Sequence, residues 1–128
     1  MLNHISIMGR LVADPELRYT PKGTAVCSFR IACDRDVKNS DGEYDTDFID
    51  VVAWRGLAET IARRFTKGRM AIIDGRLQLR PWVDRDGNRH YATEIVANRA
   101  YFGDRPKGEA EQPNTDEGYD DEDGELPI

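Results

Sequence analysis

The amino-acid sequence predicts a mainly β domain in which five strands form a small barrel and one helix joins the third strand to the fourth. Three observations support this fold class: strand-like alternation of apolar and polar residues, a helical spacing confined to residues 56–68, and turn-forming glycine sequences between the strands. This order of elements is that of the OB-fold, a five-stranded Greek-key barrel. Other small α+β domains share the order, so the order alone does not prove the barrel.

Three strands are predicted in the first half of the chain. Residues 5–11 form the first strand, and residues 20–24, with a proline and a glycine, form a turn. Residues 34–45 are polar and are predicted to be a hairpin loop, and residues 46–55 form the third strand. The second strand, residues 25–33, alternates cleanly, and its apolar face carries Cys27, Phe29, Ile31 and Cys33.

The second half begins with the helix. Its apolar residues recur at helical spacing, and Gly68 is typical of a helix end. Residues 69–82 return to the alternation of a strand, and residues 91–102 form the last strand after a turn at Asp86-Gly87. In the fourth strand, one apolar face is expected to lie in the core: Ala71, Ile73, Leu77 and Leu79.

Charge is divided unevenly along the 128 residues. The net charge is −6, but residues 1–105 carry 17 basic and 15 acidic side chains, whereas residues 106–128 carry 1 and 9. The acidic segment has too few apolar residues to offset the entropy lost on folding. We therefore expect an OB-fold domain at residues 1–104 and a disordered linker with an acidic tail at residues 105–128.

Several classes of protein do not fit the composition. The two cysteines, Cys27 and Cys33, are too few for a disulfide framework and suit small buried residues in a reducing compartment. With only His4 and His90 beside them, a zinc site is not expected, nor is any other metal or cofactor. No segment resembles a signal peptide or a membrane span, so a cytoplasmic, nucleoid-associated protein is expected.

Two strands present large aromatic residues on their more polar face. Phe48 and Trp54 alternate with apolar residues on the third strand, and Trp82 ends the polar face of the fourth. An indole offers a plane on which a base can stack, and guanidinium groups bind phosphate. The ordinary alternative is that the aromatics pack in the core and the arginines form a solvated rim, and Asp50 counts against a DNA surface. The basic residues near Trp82 that favour nucleic acid are Arg76, Arg80, Arg85 and Arg89.

The chain ends in an acidic run followed by three apolar residues. Such a run is usually only a solvated tail, but an apolar end adds groups that a partner protein could place in a pocket beside its own basic residues. The residues predicted to bind partners are Asp120, Asp121, Glu122, Asp123, Glu125, Leu126, Pro127 and Ile128.

Many short motifs, in order, resemble those of the bacterial single-stranded DNA-binding proteins. The resemblance covers Met1 to about Phe102 and the extreme tail, and it includes residues 9–23, residues 47–54 and residues 75–78. It implies an OB-fold homotetramer that wraps single-stranded DNA in replication, recombination and repair, and whose acidic tip recruits enzymes of those processes. It also implies base stacking by Phe48, Trp54 and Trp82. Basic residues at or close to family positions near the DNA path are Arg18, Arg55, Lys67 and Arg80.

Two residues depart from the family pattern. The family commonly carries a stacking aromatic where this chain has Val37, so one stacking position is expected to be missing. The family tail often ends in Pro-Phe, whereas this chain ends in Pro127-Ile128, and isoleucine is apolar but not flat.

Two other functions remain open on the sequence. The barrel could bind protein as an adaptor of the primosomal type, although the acidic tail is unlike the tail-less primosomal relatives. A nuclease would need carboxylates grouped around a metal ion and a phosphate, but the spacing of Asp47, Asp50 and Glu94 indicates no such group. A protein without catalytic activity is therefore expected.

Overall fold

The computed structural model describes residues 1–105; of the predicted linker and acidic tail, residues 105–128, all but the first residue lie outside the described residues. One helix and six strands occur in the described part of the chain. They are β1 (Ile5–Leu11), β2 (Glu16–Tyr19), β3 (Ala25–Lys38), β4 (Tyr44–Trp54), α1 (Arg55–Arg64), β5 (Met70–Val83) and β6 (Arg89–Phe102).

The five long strands close into a barrel. They follow the order β1-β5-β6-β4-β3, and an antiparallel pairing of β1 with β3 closes the ring, while the short β2 adds to the edge of β3. The pairing of β4 with β6 is parallel, whereas all the other pairings are antiparallel. The predicted OB-fold barrel, with its helix between the third and fourth long strands, is confirmed.

Closure of the barrel requires a glycine on β1. A Cβ atom on Gly9 would lie 2.6 Å from the carbonyl oxygen of Ala32 and 2.8 Å from the sulfur of Cys33. Since the first obstacle is backbone of β3, a side chain would push β1 and β3 apart where Arg10 pairs with Ala32.

The apolar faces predicted for β3 and for the helix meet inside the barrel. Cys27, Ile31 and Ile61 are fully buried there. Burial raises the pKa of the Cys27 thiol to about 11, so this cysteine is a neutral apolar residue at physiological pH. Cys33 is half-buried and donates its S–H to the carbonyl oxygen of Met8 at 3.2 Å.

The helix is shorter than predicted. It ends at Arg64, and Phe65 is extended (φ −97°, ψ 144°) while its ring stays in the core. Gly68 has the positive φ expected of a glycine stop, 89°, but it lies in the turn that leads to β5, where its N–H donates to the carbonyl oxygen of Leu11 at 2.9 Å. No helix in residues 1–105 has the length and apolar character needed to cross a bilayer.

The predicted loop at residues 34–45 is wrong in extent. β3 continues to Lys38 and β4 begins at Tyr44, so the turn itself is only residues 39–43. Here the two strands extend beyond the barrel as an arm with both faces exposed. Since neither face is buried, the paired strands do not need alternating apolar residues.

The core position predicted for Leu77 and Leu79 is also wrong. These side chains are 42% and 58% exposed, whereas Ala71 and Ile73 on the same strand are fully buried. β6 pairs with β4 only at residues 94–96, which are opposite residues 76–78 of β5, so beyond Gln78 and Glu94 the two strands continue as a second arm that projects from the barrel. Alternation along β5 therefore continues past the end of the core.

The C-terminal end of the described chain is tied to the barrel by Asp104. Its carboxylate accepts hydrogen bonds from Arg69 Nε at 3.0 Å, Arg10 Nη1 at 3.1 Å and the Met70 N–H at 3.2 Å. Partial burial opposes ionisation, but these hydrogen bonds prevail and lower the pKa of the Asp104 carboxyl. The Arg69 guanidinium also lies 4.0 Å above the Phe102 ring.

Candidate nucleic-acid interface

Strand register assembles one continuous outer face from four strands. Across β3, β4, β6 and β5, Arg30 is opposite Asp50, Asp50 is opposite Glu94, and Glu94 is opposite Gln78. Side chains two residues away along each strand share this face, because successive residues in a strand point to opposite sides. We call this surface, from β3 to β5, the outer face.

The three aromatic residues predicted to stack on bases all belong to the outer face. Phe48, Trp54 and Trp82 are 61%, 42% and 44% exposed. Their neighbours Val51 and Ala53 are buried in the core, so the aromatics of β4 are not core residues. Phe48 and Trp54 are six residues apart, which separates them by roughly 20 Å along the strand. Val37, the position without the expected aromatic, is 78% exposed on the β3–β4 arm.

Most of the predicted phosphate-binding cations border this face. Arg76 and Arg80 lie on it, since they pair with Val96 and Ala92 of β6. Arg18 of β2 reaches Ser28 on β3, with its Nη1 donating to the hydroxyl oxygen at 3.2 Å. Two further exposed cations follow β4: Arg55 begins α1 next to Trp54, and Lys67 lies in the turn before β5.

The structure places the last two predicted cations differently. Arg85 is exposed in the turn at the tip of the β5–β6 arm. Arg89 pairs with Val83, and this register puts it on the opposite side of the arm from Trp82. Because successive residues of the arm point to opposite sides, Arg89 does not belong to the outer face. The sequence predicted a polar loop at residues 83–90, and a loop does not specify on which side of the sheet Arg89 lies.

Arg30 is a cation that the sequence analysis did not assign to the site. It lies on β3, at one edge of the outer face, and its Nε donates to Asp50 Oδ1 at 2.8 Å. The hydrogen bond and the charge of Asp50 raise the pKa of the guanidinium, which stays charged. Alternation in β3 puts Arg30 outside the core, but only the pairing with β4 shows that it stands between Phe48 and Trp54.

A groove of about 440 Å³ runs over the centre of the outer face. The loop between β1 and β2, including Asp14 and Glu16, forms one wall, and Arg30 and Arg80 belong to the lining. A groove of this size is open enough to take a nucleotide and presents guanidinium groups to it.

The two acidic residues on the central strands of this face, Asp50 and Glu94, are paired with cations. Glu94 is buried and accepts hydrogen bonds from Gln78 Nε2 at 3.1 Å and Arg80 Nε at 3.5 Å. Asp50, which counted against a DNA surface on the sequence, is paired with Arg30. Each carboxylate therefore orients a donor as well as adding negative charge. Within residues 1–105, no three His, Cys, Asp or Glu side chains are grouped in a way that could hold a metal ion.

Comparison with known proteins gives consistent matches over the barrel. The chain matches the single-strand binding protein family over residues 2–103. It is 49% identical over 102 residues to single-stranded DNA-binding protein 3 of Listeria innocua, covering 80% of this chain and 64% of that protein. It is 46% identical over 102 residues to single-stranded DNA-binding protein A of Bacillus subtilis, covering 80% of this chain and 59% of the relative. The chain thus spans less than two thirds of the length of these relatives. With the barrel, its exposed aromatics and a match over nearly all the described residues, the chain belongs to the single-strand binding protein family.

Proposed function

We propose that this chain binds single-stranded DNA without reading its sequence. The observation that carries the proposal is the placement of Phe48, Trp54 and Trp82 on one outer face, each more than two-fifths exposed, among arginine side chains. Large aromatic surfaces are normally buried, and three on one face suit a ligand that is itself flat and aromatic. The names of the relatives agree with this ligand.

Two kinds of contact contribute to the binding of single-stranded DNA: stacking on bases and ion pairs with phosphates. Bases stack on the aromatic rings, and because every base has a π-face, stacking tolerates any sequence. Cations neutralise backbone phosphates and release counterions, which makes the affinity depend on salt but not on base identity. The proposed phosphate contacts are Arg18, Arg55, Lys67, Arg76, Arg80 and Arg85, together with Arg30. Arg89, on the other side of the β5–β6 arm, is left out of this set.

Titration of the protein with poly(dT) tests the proposal. We expect strong quenching of tryptophan fluorescence on binding, and an affinity that falls as salt rises from 50 to 200 mM. Poly(dA) and mixed-sequence strands should bind as well, and a duplex of the same length should bind much more weakly. Absence of both quenching and a mobility shift at low salt would contradict the proposal.

We also propose that the chain acts in replication, recombination and repair as a homotetramer and recruits partner proteins through its tail. The acidic residues and the apolar Leu126-Pro127-Ile128 end support recruitment, and exposed Leu77 and Leu79 support association of barrels. Removal of residues 118–128 should abolish capture of replication and repair enzymes while leaving the affinity for poly(dT) intact. Light scattering should give four chains per particle with and without the tail.

Capture that survives this deletion would contradict recruitment through the tail. A monomer in light scattering would contradict the tetramer. A variant with Asp120, Asp121, Glu122 and Asp123 changed to Asn or Gln keeps the tail length, and it separates the contribution of charge from that of the apolar end.

A further inference from the structure

We infer that His90 is a positioning residue for Trp82: its ring covers one face of the indole and leaves the other face for a DNA base. The inference rests on the proposed function and refines it at one aromatic residue. Four contacts of the β5–β6 arm carry it.

The first contact is the stack of the two rings. Trp82 on β5 is directly opposite His90 on β6, and their ring centroids lie 4.6 Å apart with an interplanar angle of 23°. This is the geometry of an offset stack. Since one indole face is occupied, Trp82 can stack on one base and cannot insert between two.

The other contacts hold the imidazole in place. His90 Nε2 and Asp84 Oδ2 are hydrogen-bonded at 2.8 Å. The second oxygen, Asp84 Oδ1, accepts from the backbone N–H groups of Asp86 at 2.9 Å and Asn88 at 2.8 Å. The hydrogen bonds from His90 and from the Asn88 backbone lower the pKa of the Asp84 carboxyl, which favours the ionised form as the acceptor. The turn therefore fixes the carboxylate, the carboxylate fixes the imidazole, and the imidazole supports the indole.

The arm offers Trp82 little other support. Its other neighbours on the same side of the arm are the exposed Arg80 and the small Ala92, which are opposite each other. Trp54 is placed differently, because it pairs with Val26, a member of a small buried valine cluster on the outer face. An indole without a backing ring would have to lose its side-chain freedom when DNA binds, and this loss weakens binding. A preordered indole has already lost that freedom.

A variant with a single tryptophan makes the effect measurable. The chain has 2 tryptophans, so Trp54→Phe leaves Trp82 as the only indole and keeps an aromatic ring at position 54. In this background we compare His90→Ala, which removes the ring, with His90→Phe, which keeps a ring but no hydrogen bond to Asp84. His4→Ala is the matched control, since His4 forms the same kind of pair, at 2.8 Å, with Asp74 on the barrel.

We expect His90→Ala to bind a short oligo(dT) about 3- to 10-fold more weakly, the range expected for loss of one aromatic pair. His90→Phe should bind more tightly than His90→Ala but more weakly than the background protein, since it keeps the stacked ring and loses the hydrogen bond to Asp84. His4→Ala should bind as the background protein does. Without DNA, the fluorescence anisotropy decay of Trp82 should show the fastest local motion in His90→Ala and intermediate motion in His90→Phe.

Equal binding by His90→Ala and the background protein would overturn the inference, and so would binding by His90→Phe as weak as that of His90→Ala. Circular dichroism melting distinguishes a local effect from unfolding, and a folded His90→Ala that retains full affinity counts against the inference. Trp82→Ala distinguishes failure of the inference from failure of the proposed function. If Trp82→Ala weakens binding and His90→Ala does not, only the inference about His90 fails. If the unaltered protein does not bind oligo(dT), the proposed function itself fails.

Discussion

Trp54→Ala should weaken binding to poly(dT) by about 1–3 kcal/mol, which is roughly 5- to 150-fold in the dissociation constant. Trp54 is 42% exposed on the outer face, so its loss removes a base-stacking surface without opening a cavity in the core. The loss should be similar for thymine, adenine and mixed strands, because stacking depends little on the base. Fluorescence anisotropy of labelled oligonucleotides at fixed salt measures the effect.

Two matched variants distinguish stacking from charge. Trp54→Phe should restore most of the affinity, since a smaller ring still stacks. Arg30→Ala should instead lower the slope of log affinity against log salt by about one, whereas Trp54→Ala should leave the slope unchanged. Full affinity in Trp54→Ala would remove this residue from the interface, and an unchanged slope in Arg30→Ala would remove Arg30.

Gly75→Ala should destabilise the barrel by about 3 kcal/mol, near the upper end of the cost of overpacking. A Cβ atom at this position would lie 2.1 Å from the carbonyl oxygen of Val96 and 3.0 Å from Ala97 Cα. Both obstacles are backbone of β6, and the residue lies at the register shift between β5 and β6. Neither strand can move away from the new Cβ atom without weakening the pairing of β5 with β6, on which the β5–β6 arm depends. Urea denaturation followed by circular dichroism measures the change.

Gly56→Ala is the control for this substitution. A Cβ atom on Gly56 meets nothing within 4 Å, and the residue lies in the first turn of α1. Since alanine favours the helix more than glycine, we expect a change between zero and about 1 kcal/mol of added stability. Equal stability of Gly75→Ala and the unaltered protein would contradict the close approach of β5 and β6.

Sequence periodicity predicted much of the barrel because the pattern arises locally. The alternation around Phe48 and Trp54 identified which side of β4 leaves the core, and the spacing of Leu57 and Ile61 identified the helix. The same reasoning failed for Leu77 and Leu79, since alternation is the same in a strand that borders a core and in a strand that has left it. The register of the paired strands decides where the barrel ends, and the alternation of apolar and polar residues gives no information about register.

The sequence by itself thus determined the strands, their inward faces and the aromatic residues that remain outside. Only the tertiary structure decided which strands lie side by side, because the parallel pairing of β4 with β6 joins residues more than forty positions apart, such as Asp50 and Glu94. That pairing, with the pairing of β5 and β6, brings Trp82 to the face that holds Phe48 and Trp54, and the separate pairing of β3 with β4 places Arg30 between the levels of Phe48 and Trp54. The backing of Trp82 by His90 depends in the same way on the register of the arm, since two rings eight residues apart in sequence meet only when the turn between them is formed.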